Sequence, residues 1–179
     1  MLKTTLLSIV FLFSISFASA DPLPKCFDGR VELQPMNEKV IQFKSTLPNL
    51  QKVQVFVKAQ FVQELQPTFN QFGHHQHFIV SLRDGLTSGE SLIEISHSMN
   101  GYTFPEASDL RNGPVYICGE YSTTDVNGFP KITKFTPSAT GAMIHWTHQA
   151  NRNFDVPAHG HANGFIYSNG KIFGLGNHQ

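Results

Sequence analysis

From Val53 onward apolar side chains recur at every second position, at Val55, Val57, Ala59 and Phe61. Gln54, Lys58 and Gln60 lie between them, and Phe56 is the one apolar residue out of phase. A period of two places alternate side chains on opposite faces, so this stretch predicts a half-buried strand. Shorter apolar runs at 78–82, 91–97 and 115–121 predict three more strands, the last with Val115, Ile117, Gly119 and Tyr121 on one face. A fifth main strand is expected at 142–148, with Ile144, Trp146 and His148 sharing an apolar face and His145 and Thr147 the other. On that reading Trp146 is buried. Phe165-Ile166-Tyr167 and Lys171-Ile172-Phe173 flank Ser168-Asn169-Gly170, and Asn-Gly is the preferred two-residue hairpin turn.

Between these runs stand turn signals. Arg83-Asp84-Gly85 closes the second strand, and residues 98–114 read as a long connection with a helical turn near Glu106 to Leu110. Residues 122–140 are rich in Ser, Thr and Pro, with room for a short strand at 131–135. Residues 21–50 are punctuated by Pro22, Pro24, Pro35 and Pro48 and predict an arm with one or two short strands. No amphipathic helix, heptad or internal repeat stands out. Many short strands with almost no helix predict an all-β fold, a small OB-like β-barrel over residues 51–179 with an N-terminal arm at 21–50 and a C-terminal β-hairpin.

Residues 1–20 have the form of a signal peptide, with Lys3, an apolar run to Phe17 and the small residues Ala18-Ser19-Ala20. No later segment approaches the ~18 apolar residues of a membrane span. The expected location is periplasmic or secreted. There a pair of cysteines, Cys26 and Cys118, defaults to a disulfide, the alternative being two buried thiols. Thirteen basic residues balance thirteen acidic ones. This balance argues against a dedicated nucleic-acid binder, although Phe56, Phe72, Phe78 and Tyr121 are aromatic enough to stack on bases.

The chemistry-bearing residues concentrate in histidines. The single tryptophan lies in His145-Trp146-Thr147-His148, and two His-x-His pairs occur, His75/His77 and His159/His161. On a strand each pair points to one face, the disposition a zinc site uses. The metal candidates are His75, His145, His148 and His161. Bland alternatives stand beside them: His97 and Glu120 as a strand-end pair, His145 and His148 as satisfied strand histidines, Trp146 as core. No His-Glu-x-x-His helix, Gly-x-Ser-x-Gly elbow or phosphate-cradling glycine loop is present.

Five blocks together resemble an uncharacterised family of small exported bacterial proteins, a domain of unknown function. They are His74-His75-Gln76-His77-Phe78-Ile79, Ser96-His97-Ser98, Gly119-Glu120-Tyr121, His145-Trp146-Thr147-His148 and His161-Ala162-Asn163-Gly164-Phe165-Ile166. The likeness spans about residues 50–174 and departs at His77, where the family has Arg, and at Ser122-Thr123, where it has Glu-Trp. Its acidic residue after the His-Trp-Thr-His block is replaced by Gln149-Ala150-Asn151. The resemblance implies a polar site of His75, His97, Glu120, His145, His148 and His161, beside Trp146, and implies no activity. Two functions fit these residues. One is a binding or interaction module with a histidine-rich cleft for an extracellular or periplasmic ligand, without cofactor. The other is a zinc-dependent hydrolase such as a nuclease or phosphodiesterase in the same cleft, with Glu120, His145 and His148 as catalytic candidates.

Overall fold

The computed structural model describes residues 20–47, 52–70, 73–85, 89–123, 140–149 and 163–176. The signal-peptide segment 1–19, the strand expected at 131–135, and Phe72, His159 and His161 lie outside them.

Five strands form the barrel: β3 (Val53–Glu64), β5 (Gly73–Ser81), β6 (Leu92–Ser98), β7 (Val115–Thr123) and β8 (Ala142–His145). Going round the barrel the order is β3, β5, β6, β8, β7 and back to β3, a closed five-stranded barrel of the OB type. All pairings are antiparallel except β6 with β8, which run parallel with Ile95 beside Ile144. The long β3 makes closure possible by serving two partners. Residues Val53 to Ala59 pair with β7, and Gln60 to Glu64 pair with β5 across a bulge between Phe61 and Gln63. A bulge adds twist and bends the strand round the barrel.

The alternation of β3 is the alternation of the fold. Val55, Val57 and Ala59 point inward with Phe78, Val80, Ile93, Ile95, Val115, Ile117, Tyr121, Ala142 and Ile144, all buried in one cluster. Phe56, out of phase, points outward. It joins Cys26, Cys118 and Phe165 in a second cluster outside the barrel wall. That cluster lies among the barrel, the hairpin of β1 (Cys26–Asp28) and β2 (Val31–Leu33), and the hairpin of β9 (Phe165–Ser168) and β10 (Lys171–Phe173). A Cys26–Cys118 disulfide runs through it. The β9–β10 turn has Asn169 at φ 50° and Gly170 at φ 77°, the left-handed pair expected of Asn-Gly.

Two helices adjoin the core. α2 (Ala107–Arg111) occupies the expected helical turn, opened by a reciprocal capping box between Glu106 and Asp109, and buries Leu110. α1 (Asn37–Thr46) corrects the expectation of a helix-free arm. Its apolar side is carried by Val40, Ile41 and Phe43, too few and too closely spaced to mark a helical stripe. Tertiary contacts hold it instead. The Asn37 side chain donates to the carbonyls of Lys58 and Leu82, and the Phe43 ring lies 5.8 Å from that of Tyr121. No helix among the described residues is long and apolar enough to cross a membrane.

Candidate functional site

The outer face of β5, β6, β8 and β7 carries three of the six expected polar residues, His75, Glu120 and His145. Register aligns His75 with Ser98, His77 with Ser96, Ile79 with Glu94, Glu94 with Met143, and His145 with Glu120. All of these side chains point away from the core, since their strand neighbours Phe78, Ile95, Ile144 and Tyr121 point into it.

β8 ends at His145, earlier than the sequence pattern suggests. Trp146 has φ 54°, so the alternation breaks there and Ile144, Trp146 and His148 do not share a face. The indole is half-buried, which corrects the expectation of a core tryptophan. It lies between imidazoles, 5.6 Å from the His145 ring and 5.7 Å from that of His148. A bulky residue in the left-handed region costs about 1–3 kcal/mol and persists only when its surroundings hold it. They do so through absent side chains. A Cβ on Gly119 would stand 2.6 Å from the His145 carbonyl oxygen, one on Gly164 would strike the Trp146 carbonyl, and one on Gly174 that of Thr147.

Hydrogen bonds complete the clamp. His97, fully buried, donates from Nε2 to the Thr103 carbonyl at 3.0 Å, leaving Nδ1 to accept from the Thr147 hydroxyl at 2.7 Å. Burial pushes its pKa down to about 4 despite these bonds, so the imidazole is neutral. His148, 5% exposed, donates from Nδ1 to the Gln149 carbonyl and stacks 4.1 Å from the Tyr102 ring. Both are held as structural histidines, and His97 in particular has neither nitrogen left for a ligand. Glu120 and His145 remain, half-buried and opposite one another across β7 and β8.

A second group, of which the sequence singles out only the His75/His77 pair, lies further along the same outer face. His77 and Glu94, 8% and 5% exposed, meet through Nδ1 and Oε1 at 2.8 Å. The other ring nitrogen of His77 is 2.9 Å from the hydroxyl of Thr68, in the short strand β4 (Thr68–Asn70). His75 shares that face, 6.5 Å from His77 between ring centroids, with its pKa lowered by burial and by His77. Its buried Nδ1 has no hydrogen-bond partner among the described residues. Only the His-x-His spacing hints at this group. Thr68 has no signal at all, because its place depends on the β4–β5 register that sets it opposite His75.

The expected single cleft is thus two adjacent groups, with His97 removed to the interior. Among the described residues no three His, Cys, Asp or Glu side chains are grouped to hold a metal ion. A surface groove of about 370 Å³ lies elsewhere, lined by Lys58, Gln60, Phe61, Asp84, Arg111 and Pro114 among others, and contains none of the expected residues.

No family model, curated protein or solved structure matches the chain.

Proposed function

We propose that the protein is an exported binding module whose ligand contacts the shelf made by Glu120, His145 and Trp146. The observation that carries this reading is the backbone of Trp146. Gly119, Gly164 and Gly174 leave room for, and the His97–Thr147 bond fastens, a segment that keeps a half-buried indole at φ 54°, a conformation a bulky residue adopts only at a cost. The Cys26–Cys118 bridge supports export to an oxidising compartment. The resemblance to small exported bacterial proteins agrees with it, since Glu120, His145 and Trp146 fall in two of its blocks.

The shelf joins an apolar ring face to a carboxyl group and an imidazole, in a protein with no net charge. That combination suits a neutral ligand with both ring and hydroxyl character, such as a glycan, better than a polyphosphate chain, which requires a basic surface. Of the two functions that fit the sequence, binding is the better supported. Among the metal candidates, His148 uses Nδ1 on the Gln149 carbonyl, whereas a metal centre needs its ligand nitrogens directed at one point.

As the single tryptophan, Trp146 reports on its own site. Neutral chitooligosaccharides, oligo-dT and Zn²⁺ are titrated against its emission, with calorimetry alongside for the Trp146→Gly protein. A saturable glycan signal that is absent from calorimetry of the variant is expected. Saturation by oligo-dT alone would replace the ligand class, and a Zn²⁺ response abolished by chelator would restore the hydrolase reading.

A further inference from the structure

We infer that Thr68, His77 and Glu94 form a hydroxyl–imidazole–carboxylate relay that transfers an acyl group from an activated carboxylic ester to water. The three groups stand in hydrogen-bonding sequence. Thr68 Oγ1 is 2.9 Å from His77 Nε2, and His77 Nδ1 is 2.8 Å from Glu94 Oε1. An ionised carboxylate only accepts, so with Glu94 ionised the neutral imidazole carries its proton on Nδ1. Nε2 then presents a lone pair to the threonine hydroxyl. A nucleophile within reach of a base, which is itself oriented by a third group, is the pattern by which such sites are recognised on any fold.

The surroundings suit this chemistry. His77 and Glu94 are nearly excluded from water, whereas Thr68, on a three-residue strand, is only partly buried. His75, the next histidine on the same face, is held towards its neutral form by burial, so it opposes little the positive charge that develops on His77. Nothing in the Trp146 shelf takes part, and the relay stands whether or not that shelf binds a glycan.

In the acylation step a bond forms between Thr68 Oγ1 and the carbonyl carbon. The hydroxyl proton moves to His77 Nε2, and the leaving alkoxide departs with that proton. In deacylation a water oxygen adds to the same carbon and gives its proton to Nε2. The Oγ1–carbon bond then breaks, and the proton returns to Oγ1. Glu94 stays ionised throughout and stabilises the imidazolium.

The test uses p-nitrophenyl acetate with the full exported chain, reading p-nitrophenol release and the position of the acetyl group by peptide mass mapping. Acetyl on Thr68 is expected, abolished in Thr68→Val and retained in Thr68→Ser, which also has the less hindered oxygen. Glu94→Gln should slow release about 10-fold or more with the rate still rising through the imidazole range of pH, and chelator should change nothing. Thr68→Val and Thr68→Ser are compared only after their melting curves match the parent. Acetyl found only on another residue, or release that is the same in Thr68→Val, would overturn the relay and leave His77–Glu94 as a buried hydrogen bond that joins β5 to β6.

Discussion

Thr147 and His97 stand fifty positions apart in the chain and share a 2.7 Å hydrogen bond inside the end of the barrel. Through it, the segment that follows β8 is fastened to β6. The imidazole that does this has to remain neutral, and the cost of charging it makes the fold sensitive to acid.

The folded pKa of His97 is about 4, against 6.5 for an unperturbed imidazole. Between those values the unfolded chain binds a proton that the folded one refuses, so stability rises with pH across this window. It is fully present above about pH 6.5 and falls as pH drops towards 4. Denaturant unfolding at pH 7 and pH 4.5 should differ by about 2–3 kcal/mol from this residue. His97→Phe should lower stability at pH 7 and flatten that difference. His75, shifted in the same direction, adds to the slope that remains.

Trp146 occupies a conformation that glycine adopts without penalty. Trp146→Gly and Trp146→Ala both lose the indole, but only the alanine keeps the left-handed strain. The glycine variant is expected to be the more stable of the two by about 1 kcal/mol, read from urea midpoints. Equal midpoints, or a more stable alanine variant, would mean the backbone relaxes once the indole is gone.

Gly119 is the residue whose missing side chain admits the end of β8. Gly119→Ala would set a methyl group 2.6 Å from the His145 carbonyl oxygen and 2.9 Å from Ile144 Cγ2. Neither can retreat without moving the strand. A loss of about 2 kcal/mol or more is expected, together with a changed Trp146 emission maximum in the native state. An unaltered spectrum would show that the shelf tolerates a displaced β8.

The disulfide joins residues 92 apart in sequence. Reduction, or Cys118→Ser paired with Cys26→Ser, should lower stability by about 2–4 kcal/mol. Thiol titration of the unfolded, unreduced protein should find none.

The barrel was legible where one rule governed many residues. The alternation at Val53 to Phe61 and the Asn169-Gly170 turn gave strands and a hairpin that the structure contains. The reading of Cys26 with Cys118 likewise needed only composition and compartment. What escaped depended on partners distant in sequence. α1 is held by Asn37 reaching Lys58 and Leu82, and nothing within its own ten residues announces that. Trp146 stands in phase with the apolar positions, and the break after His145 depends on Gly119, Gly164 and Gly174 leaving room for the carbonyls of His145, Trp146 and Thr147. Histidine type could not separate a locked His97 from a half-buried His145 on the outer face. Only burial and register do so.

β8 is the last strand to enter the barrel, and it alone bridges β6 to β7. A chain emerging from its N-terminus can assemble β7, β3, β5 and β6 as an open sheet, but the edges of β6 and β7 stay unjoined until residues 142–145 arrive. One of the two junctions it then makes is the barrel's sole parallel pairing, a non-local contact of the kind that folds slowly. The Trp146 shelf hangs from the end of that strand, so it does not exist in any partly closed form. A ligand of the proposed shelf would therefore bind only chains that have finished folding, and by mass action would favour the closed barrel.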